Sequence, residues 1–492
     1  MNAEVGFLPL EQVYCRHLFK INYIKFMAES MSIDIKETNY SYYSNIIKQN
    51  INRCSIPMKA TVITFGCQQN EADSEKIRGI TVDMGYTLSS DYHECDLIIV
   101  NTCAIRAHAE MKALSLLGNF KALKKKNPDL VIGICGCMCA EFGAVDILKK
   151  DFHYISFTLE PNMLHKIPEL VYTAKQGNKR SFIIGQDNGS IVEGMPTVRS
   201  SGHRAWVSIM YGCNNFCSYC IVPYVRGRER SRSSEIIIKE CCELISSGVK
   251  EITLLGQNVN SYRSDMDFAS LLRAIAEIDG SFIIRFMTSH PKDVSDGLVA
   301  VLKEKSDKIA PYFHLPLQSG SDKILKDMNR TYDSESFLNT VKKLRASVPD
   351  IALSTDVIVG FPGETEDDFM DTLEVLRKAR FDMGYSFIYS PREGTRAARM
   401  RNQVDEETKS RRMELLLKLQ DEISYEKNLE YLGKCVRVLV DSVSQRNGNT
   451  VYNGRTDTNK LVHFEGNASV GEFVQVKIEK TAAYDLIGRQ IN

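Results

Sequence analysis

Three cysteines close together in the middle of the chain are well suited to metal chemistry. Cys213, Cys217 and Cys220 have the spacing C-x3-C-x2-C, and Tyr219 stands just before the third cysteine. Thiolates are preferred ligands of zinc and of iron–sulfur clusters. A structural zinc site needs four closing ligands, and no fourth Cys or His follows in this loop. A four-iron cluster on three cysteines keeps one iron open, so the spacing favours such a cluster over zinc.

Three further cysteines each follow a predicted strand. Cys67, Cys103 and Cys137 come after β-rich runs at residues 60–65, 97–100 and 130–135, and helical patterns occupy 70–84 and 105–126. The carboxyl ends of parallel strands gather at one edge of a sheet. We therefore expect a second site with three thiolates. Cys135 and Cys139 lie close to Cys137, and position alone favours Cys137 only modestly.

Composition limits the class of protein. The 492 residues include 62 Lys and Arg, 62 Asp and Glu, and 14 cysteines. Residues 1–30 carry charges without a clean apolar core, and no run of 18 apolar residues occurs. We expect a cytoplasmic protein without a membrane partner, in which clustered cysteines hold metals rather than form disulfides.

The pattern of apolar runs predicts an α/β protein in several parts. Residues 1–57 form an N-terminal extension, expected to be partly helical and disordered at its start. An open α/β domain covers 58–175, and a Gly-, Ser- and Asn-rich linker covers 176–204. Residues 205–432 show six strand–helix units and a helical connector, which predict a partial TIM-like (β/α)6 barrel. Residues 433–492 predict a small β-barrel that resembles OB-folds.

Polar residues follow the predicted barrel strands, where this architecture places its chemistry. Taken singly, His314 is better explained as a hydrogen-bonded core residue than as a site residue. The residues expected to bind a cofactor are Tyr219, Gly256, Gln257, Asn258, Gln318 and Asp356.

Four arginines follow the cysteine loop, at Arg226, Arg228, Arg230 and Arg232. Arginine guanidinium groups suit phosphate recognition, so the run predicts an RNA-binding surface. A solvated loop, or one that pairs with carboxylates, explains the same run equally well.

Taken together, the chain resembles the methylthiotransferases of the radical S-adenosylmethionine (radical SAM) superfamily, from about residue 59 to the C-terminus. The residues that carry the resemblance are the cysteine loop with its aromatic and the segments 66–70, 101–106, 136–137, 221–227, 255–260, 314–320, 360–365, 454–456 and 459–460. Two departures are minor: Gln69 stands where methionine is common, and Arg396 where proline is common.

The resemblance implies two [4Fe-4S] clusters. Cys67, Cys103 and Cys137 would ligate an auxiliary cluster, which decides for Cys137 over its neighbours. The loop cysteines would ligate the cluster that binds and cleaves S-adenosyl-L-methionine. The C-terminal barrel would be a TRAM domain that contacts RNA.

The implied activity is methylthiolation of carbon 2 of N6-isopentenyladenosine at position 37 of tRNA, in the anticodon loop. The implied partners are tRNA, an external electron donor and a sulfur source, and the expected state is a monomer or weak homodimer. Alternatives are a sister enzyme acting on threonylcarbamoyl-adenosine in tRNA or on a ribosomal-protein aspartate, a non-enzymatic iron–sulfur RNA-binding protein, and a zinc-binding RNA protein.

Overall fold

A computed structural model describes residues 32–105, 107–177, 180–185, 189–446 and 448–491. The beginning of the predicted extension, residues 1–31, lies outside the described residues. The chain forms an α/β N-terminal domain, a central half-open barrel and a small closed barrel.

The N-terminal domain is built on a six-stranded parallel sheet with the strand order β3-β2-β4-β5-β6-β7. β4 and β5 are buried along their whole length, as expected for central strands covered by helices on both faces. The elements are β1 (Ser32–Asp34), α1 (Tyr40–Asn52), β2 (Lys59–Thr64), α2 (Gln68–Asp83), β3 (Thr87–Leu88), β4 (Leu97–Thr102), α3 (Ala107–Lys126), β5 (Val131–Gly136), α4 (Ala144–Asp151), β6 (Phe157–Leu159), α5 (Ile167–Lys175), β7 (Ser181–Phe182) and β8 (Ile191–Glu193).

The central domain has six parallel strands that follow one another in chain order, as β9-β12-β13 and β14-β15-β16. A parallel bridge between Ile284 and Ile309 joins the two halves. The elements are β9 (Arg204–Ser208), β10 (Met210–Tyr211), α6 (Val222–Val225), β11 (Arg230–Ser231), α7 (Ser234–Ser246), β12 (Glu251–Leu255), α8 (Phe268–Ala276), β13 (Ile283–Phe286), α9 (Asp296–Glu304), β14 (Tyr312–His314), α10 (Asp322–Asp327), α11 (Ser334–Ser347), β15 (Ala352–Val359), α12 (Glu366–Ala379), β16 (Met383–Ile388) and α13 (Glu406–Leu429). The predicted partial (β/α)6 barrel is confirmed.

Side chains alternate between two faces of each barrel strand. On β15, Leu353, Val357 and Val359 belong to the main apolar core between strands and helices. Ser354, Asp356 and Ile358 therefore face the inside of the barrel. The register pairs Asp356 with Tyr385 and Ile358 with Phe387, which places those two aromatic residues of β16 on the same inner face.

The C-terminal strands close into a five-stranded barrel of order β17-β18-β19-β21-β20, so the predicted small β-barrel is confirmed. This barrel docks at the amino-terminal end of the central strands. Arg285 on β13 donates to the carbonyl oxygens of Thr456 and Asp457 at 2.8 Å each. The strands are β17 (Cys435–Arg446), β18 (Asn449–Thr456), β19 (Leu461–Glu465), β20 (Phe473–Thr481) and β21 (Asp485–Ile491).

The described part of the extension is folded onto the N-terminal domain. Tyr40, Ile47 and Ile51 of α1 are buried in its core. β1 pairs in parallel with β8, which lies in the predicted linker, and β7 from the same linker joins the six-stranded sheet. Segment 176–204 thus contains two short strands. No helix in the described ranges has the length and apolar character needed to cross a bilayer.

Candidate active site

The cysteines of the N-terminal domain lie at the carboxyl edge of its sheet. Cys67 precedes α2, Cys103 follows β4 and Cys137 follows β5. The backbone here is tight: Gly136 has φ +98°, and a Cβ on it would lie 2.2 Å from the Thr102 carbonyl oxygen. Burial raises the pKa of the Cys137 thiol to about 11, and Cys103 and Cys67 contribute to that rise. Neighbouring thiols that affect one another's ionisation can ligate one cluster.

The structure separates Cys137 from the two cysteines beside it. Cys135 packs in the core on one face of the sheet, and Cys139 packs in the core on the other face. Cys137 instead packs with Ala104, Ile221 and Val225. Of these three cysteines, Cys137 is therefore the one at the edge that faces the central domain.

Asn70 fixes the geometry of this edge. Its side chain is fully buried and donates to Asn101 Oδ1 at 3.1 Å and to the Thr102 carbonyl oxygen at 3.0 Å. Its Oδ1 accepts from the Cys67 backbone amide and also lies 3.3 Å from Cys67 Sγ. A buried amide with these partners holds the end of β4 and the start of α2 in one arrangement.

The loop of the central domain leaves β10 and returns through α6 to β11, which pairs with β10. At its start, Gly212 has φ +75°, and a Cβ there would lie 2.1 Å from the Arg228 carbonyl oxygen. Burial raises the pKa of the Cys220 thiol to about 12. Across the described residues, no three His, Cys, Asp or Glu side chains are close enough to ligate one metal ion.

A half-buried arginine contacts this loop. Arg330 donates from Nη1 to Cys217 Sγ at 3.4 Å and from Nε to the Tyr332 hydroxyl at 2.9 Å. Burial, together with the positive charges of Arg330 and Lys292, lowers the pKa of His290 to about 2, so His290 is neutral. No sequence motif pointed to Arg330, because it lies 113 residues from Cys217.

The two cysteine sites meet at one interface. Ile221 and Val225, which follow Cys220, pack on Cys137. Arg226, next along the same segment, donates from Nε to Cys137 Sγ at 3.2 Å. The triads therefore lie on facing edges of the two domains.

Several predicted cofactor residues offer polar atoms suited to a polar ligand. Within the described chain, Gln257 Oε1, Asn258 Oδ1 and Ser289 Oγ are buried without a hydrogen-bond partner. They follow β12 and β13, at the end of the barrel that carries the cysteine loop. Since buried polar atoms are normally paired, this set fits the amino and carboxylate groups of S-adenosyl-L-methionine. Gly256 packs against Met210. A Cβ at position 256 would lie 2.5 Å from Met210 Cγ.

The other predicted residues lie on β14 and β15. Gln318 is buried and has φ +68°. Its backbone N–H donates to the Asp356 carbonyl oxygen at 2.8 Å. Asp356 Oδ2 lies 3.5 Å from His314 Nε2, and His314 Nδ1 lies 2.9 Å from the Ser354 hydroxyl. Tyr219 packs beside Ile358 on a small apolar cluster.

Aromatic side chains line the open seam of the barrel, and the sequence analysis missed them. Tyr385 and Phe387 of edge strand β16 face inward and are 37% and 40% exposed. Trp206 is half-buried and faces inward on β9, the opposite edge strand. The N-terminal domain bridges the seam, since Gln69 bonds Ser208 on β9 and Glu110 pairs with Arg392 beyond β16. We call the space inside the barrel that these three side chains line the aromatic chamber; their alternation along the strands could have been found from strand parity.

The arginine run divides into two groups. Arg226 and Arg232 are buried; Arg226 pairs with Asp73, and Arg232 pairs with Glu193 and Glu240. The prediction that these two contact RNA is corrected, because their guanidinium groups are enclosed by protein carboxylates. Arg228 is exposed, with its guanidinium carbon 4.4 Å from the centre of the Phe216 ring. Arg230 is half-buried and donates to the Arg226 carbonyl oxygen.

Comparison with known families agrees with this division into domains. Residues 207–376 match the radical SAM superfamily, and residues 429–491 match the TRAM domain. Residues 59–158 match the uncharacterized protein family UPF0004. These three segments contain both cysteine triads and the closed barrel.

A solved structure shares the fold. The radical S-adenosylmethionine methyltransferase TsrM from Kitasatospora setae superposes with a TM-score of 0.52 over 69% of this chain and 75% of its own, at 12% identity. At that identity the likeness concerns the fold alone.

Relatives similar in sequence share one name, tRNA-2-methylthio-N(6)-dimethylallyladenosine synthase. The protein of Caldicellulosiruptor saccharolyticus is 47% identical over 96% of this chain and 99% of its own. Those of Acetivibrio thermocellus and Thermoanaerobacter sp. (strain X514) are 49% and 47% identical, over 86% and 87% of this chain and 89% and 92% of their own. The chain belongs to the tRNA-2-methylthio-N(6)-dimethylallyladenosine synthase family of the radical SAM superfamily.

Proposed function

We propose that this protein methylthiolates carbon 2 of N6-isopentenyladenosine in the anticodon loop of tRNA, using S-adenosyl-L-methionine and two [4Fe-4S] clusters. The observation that carries the proposal is the meeting of the two cysteine triads. Cys137 of one domain packs on Ile221 and Val225, which follow Cys220 of the other. A reaction that joins radical formation to sulfur transfer needs both centres beside one substrate atom.

Each triad has its own task. Cys213, Cys217 and Cys220 would hold a cluster that would supply the electron for reductive cleavage of S-adenosyl-L-methionine. Cys67, Cys103 and Cys137 would hold a second cluster, which would carry the sulfur to be transferred. Gln257, Asn258 and Ser289 bind the polar end of S-adenosyl-L-methionine through buried oxygens that lack protein partners among the described residues. Tyr219, Gln318 and Asp356 shape the rest of that pocket.

The aromatic chamber accounts for the choice of base. Tyr385, Phe387 and Trp206 offer apolar faces on which an adenine ring can stack and against which a prenyl group can lie. A threonylcarbamoyl group carries a carboxylate, which a chamber walled by apolar rings would leave unpaired. The same chamber excludes water from the reacting atoms, because the N-terminal domain closes the seam of the barrel.

Outside the chamber, we propose that exposed Arg228 and half-buried Arg230 contact tRNA phosphates beside the cysteine loop. The closed C-terminal barrel provides a second RNA contact. We propose that an electron donor and a sulfur source come from outside the chain and that the protein meets its tRNA substrate in the cytoplasm. We expect a monomer or weak homodimer.

The test separates the triads. Cys217→Ala should lose S-adenosyl-L-methionine cleavage and about half of the iron, while Cys103→Ala should retain cleavage, lose the other half of the iron and form no methylthio product. Iron and sulfide analysis after anaerobic purification is read beside nucleoside mass spectrometry. Buried Cys241, in the outer core of the barrel, supplies a matched Cys→Ala control that should retain both activities. Product formation by Cys103→Ala would contradict the proposal.

Three substrates test the choice of base. Anaerobically reconstituted protein is incubated with S-adenosyl-L-methionine, a reductant and either tRNA bearing isopentenyladenosine, tRNA bearing threonylcarbamoyl-adenosine, or the ribosomal protein. Only the first should gain a methylthio group. Product from either of the others, and none from the first, would show that the protein has the activity of a sister enzyme instead.

A further inference from the structure

The guanidinium group of Arg226 lies between the two halves of the active site. Arg226 follows the cysteine loop of the central domain, yet its Nε donates to Cys137 Sγ at 3.2 Å in the N-terminal domain. Its Nη2 donates to Asp73 Oδ2 at 2.8 Å, and the residue is 2% exposed. One buried cation therefore contacts both a cysteine of the second triad and a carboxylate.

Several hydrogen bonds fix the position of the Arg226 backbone and of its partner Asp73. The Arg226 amide donates to the Val222 carbonyl oxygen at 2.8 Å, and its own carbonyl oxygen accepts from Arg230 at 3.0 Å. Asp73 also accepts from Gln69 Nε2 at 3.2 Å, and Gln69 donates to Ser208 on β9 at 2.8 Å. Gln69, the residue that departs from the common methionine, thus completes a buried polar chain between the two domains.

Arg226 remains charged in this site. An arginine guanidinium group is protonated at any physiological pH, and Asp73 Oδ2 compensates its charge from 2.8 Å. Asp73 supplies one negative charge, and a deprotonated Cys137 supplies another. A cation that donates to a ligating sulfur stabilises the more negative, reduced state of a cluster and so raises its reduction potential.

We propose that Arg226 is a positioning residue that holds the Cys137 thiolate toward the auxiliary cluster and raises the reduction potential of that cluster. The inference rests on the proposed function, because it requires a cluster at Cys67, Cys103 and Cys137. Arg330 makes the corresponding contact with Cys217 in the other triad, at 3.4 Å. The chain therefore contains its own matched control.

The experiment isolates the auxiliary cluster. In a background with Cys213, Cys217 and Cys220 replaced by Ala, the midpoint potential is measured by redox titration followed by EPR. At fixed potential, Arg226→Gln should lower the ratio of reduced to oxidised cluster about tenfold, equal to a shift of about 59 mV for one electron. Arg226→Lys keeps the positive charge but loses the planar guanidinium group. The shift in midpoint potential should therefore be smaller than in Arg226→Gln. Arg330→Gln in the same background should leave the potential unchanged.

A change of the opposite sign separates electrostatic tuning from a structural role. Asp73→Asn removes the carboxylate that offsets the Arg226 charge, so it should raise the potential, whereas loosening of the site would shift both variants in the same direction. This variant also provides the readout where Arg226→Gln fails to assemble a cluster. An intact cluster with an unchanged potential in Arg226→Gln, or the same sign for both variants, would overturn this inference alone. Lack of iron in the parent background would overturn the proposed function as well.

Discussion

Replacing Arg285 with Met should loosen the docking of the C-terminal barrel. Arg285 and Glu251 form a buried pair at 2.6 Å, with side chains 6% and 5% exposed. Arg285 also donates to the carbonyl oxygens of Thr456 and Asp457 in the C-terminal barrel. Methionine keeps an unbranched apolar side chain, but it is shorter than arginine and makes none of these hydrogen bonds.

The size of the effect follows from what the substitution leaves behind. Breaking a buried pair by removing one partner costs about 3–5 kcal/mol, because a buried charge loses its compensation. Arg204 still contacts Glu251 at 3.1 Å, so we expect the lower end, about 3 kcal/mol. The matched control is Arg273→Met, which removes an exposed arginine paired with Glu304 at 3.0 Å and should cost about 1 kcal/mol or less.

Hydrogen–deuterium exchange of residues 454–461, read by mass spectrometry, measures the opening of this interface. Three kcal/mol corresponds to an increase in exchange of about a hundredfold in Arg285→Met. The KM for tRNA should rise, while S-adenosyl-L-methionine cleavage without RNA should stay the same. If exchange in this segment is as slow in Arg285→Met as in Arg273→Met, the assignment of Arg285 as the anchor is wrong.

Three further perturbations test other parts of the molecule. Arg228→Ala should weaken tRNA binding and reduce the slope of log K against log salt by about one, measured by fluorescence anisotropy; an unchanged slope would place this side chain outside the RNA contact. Phe387→Ala should raise the KM for prenylated tRNA several-fold more than Phe387→Leu does, and equal KM values for the two variants would remove the ring from substrate binding. Burial and the charge of Glu110 raise the pKa of Glu141 from 4.5 to about 7, although Arg392 opposes them. The folded state therefore binds more protons than the unfolded state between those values, so stability should fall as pH rises through that window, and Glu141→Gln should flatten this part of a plot of Tm against pH.

Much of the fold could be predicted because its signals are local. The strands that precede Cys67, Cys103 and Cys137 are short apolar runs that end at Gly or Thr, and their parallel order brings the three residues to one edge. Cys137 could not be separated from Cys135 and Cys139 by position. The distinction depends on which face of the sheet each side chain meets, and the helices that cover those faces are distant in sequence.

The arginine run shows where sequence reasoning ends. Arg226, Arg228 and Arg232 have the same chemistry and stand within seven residues of one another. What separates them is a carboxylate elsewhere in the chain, such as Asp73, which lies 153 residues from Arg226. The described part of the N-terminal extension could not be placed for the same reason. Its helix is polar with scattered tyrosines, and it is positioned by contacts such as that of Tyr40 with Asp83.

The two ends of the central barrel lie a fixed distance apart. The cysteine loop lies at the carboxyl end of the strands and the docked C-terminal barrel at the amino end, separated by the length of a strand such as β15. Its eight residues span about 25 Å. An RNA that contacts both ends has to extend along the side of the protein. Its reactive base then lies one strand length away from its contact with the C-terminal barrel. If tRNA contacts both ends, the length of the strands therefore sets the distance between its reactive base and its contact with the C-terminal barrel.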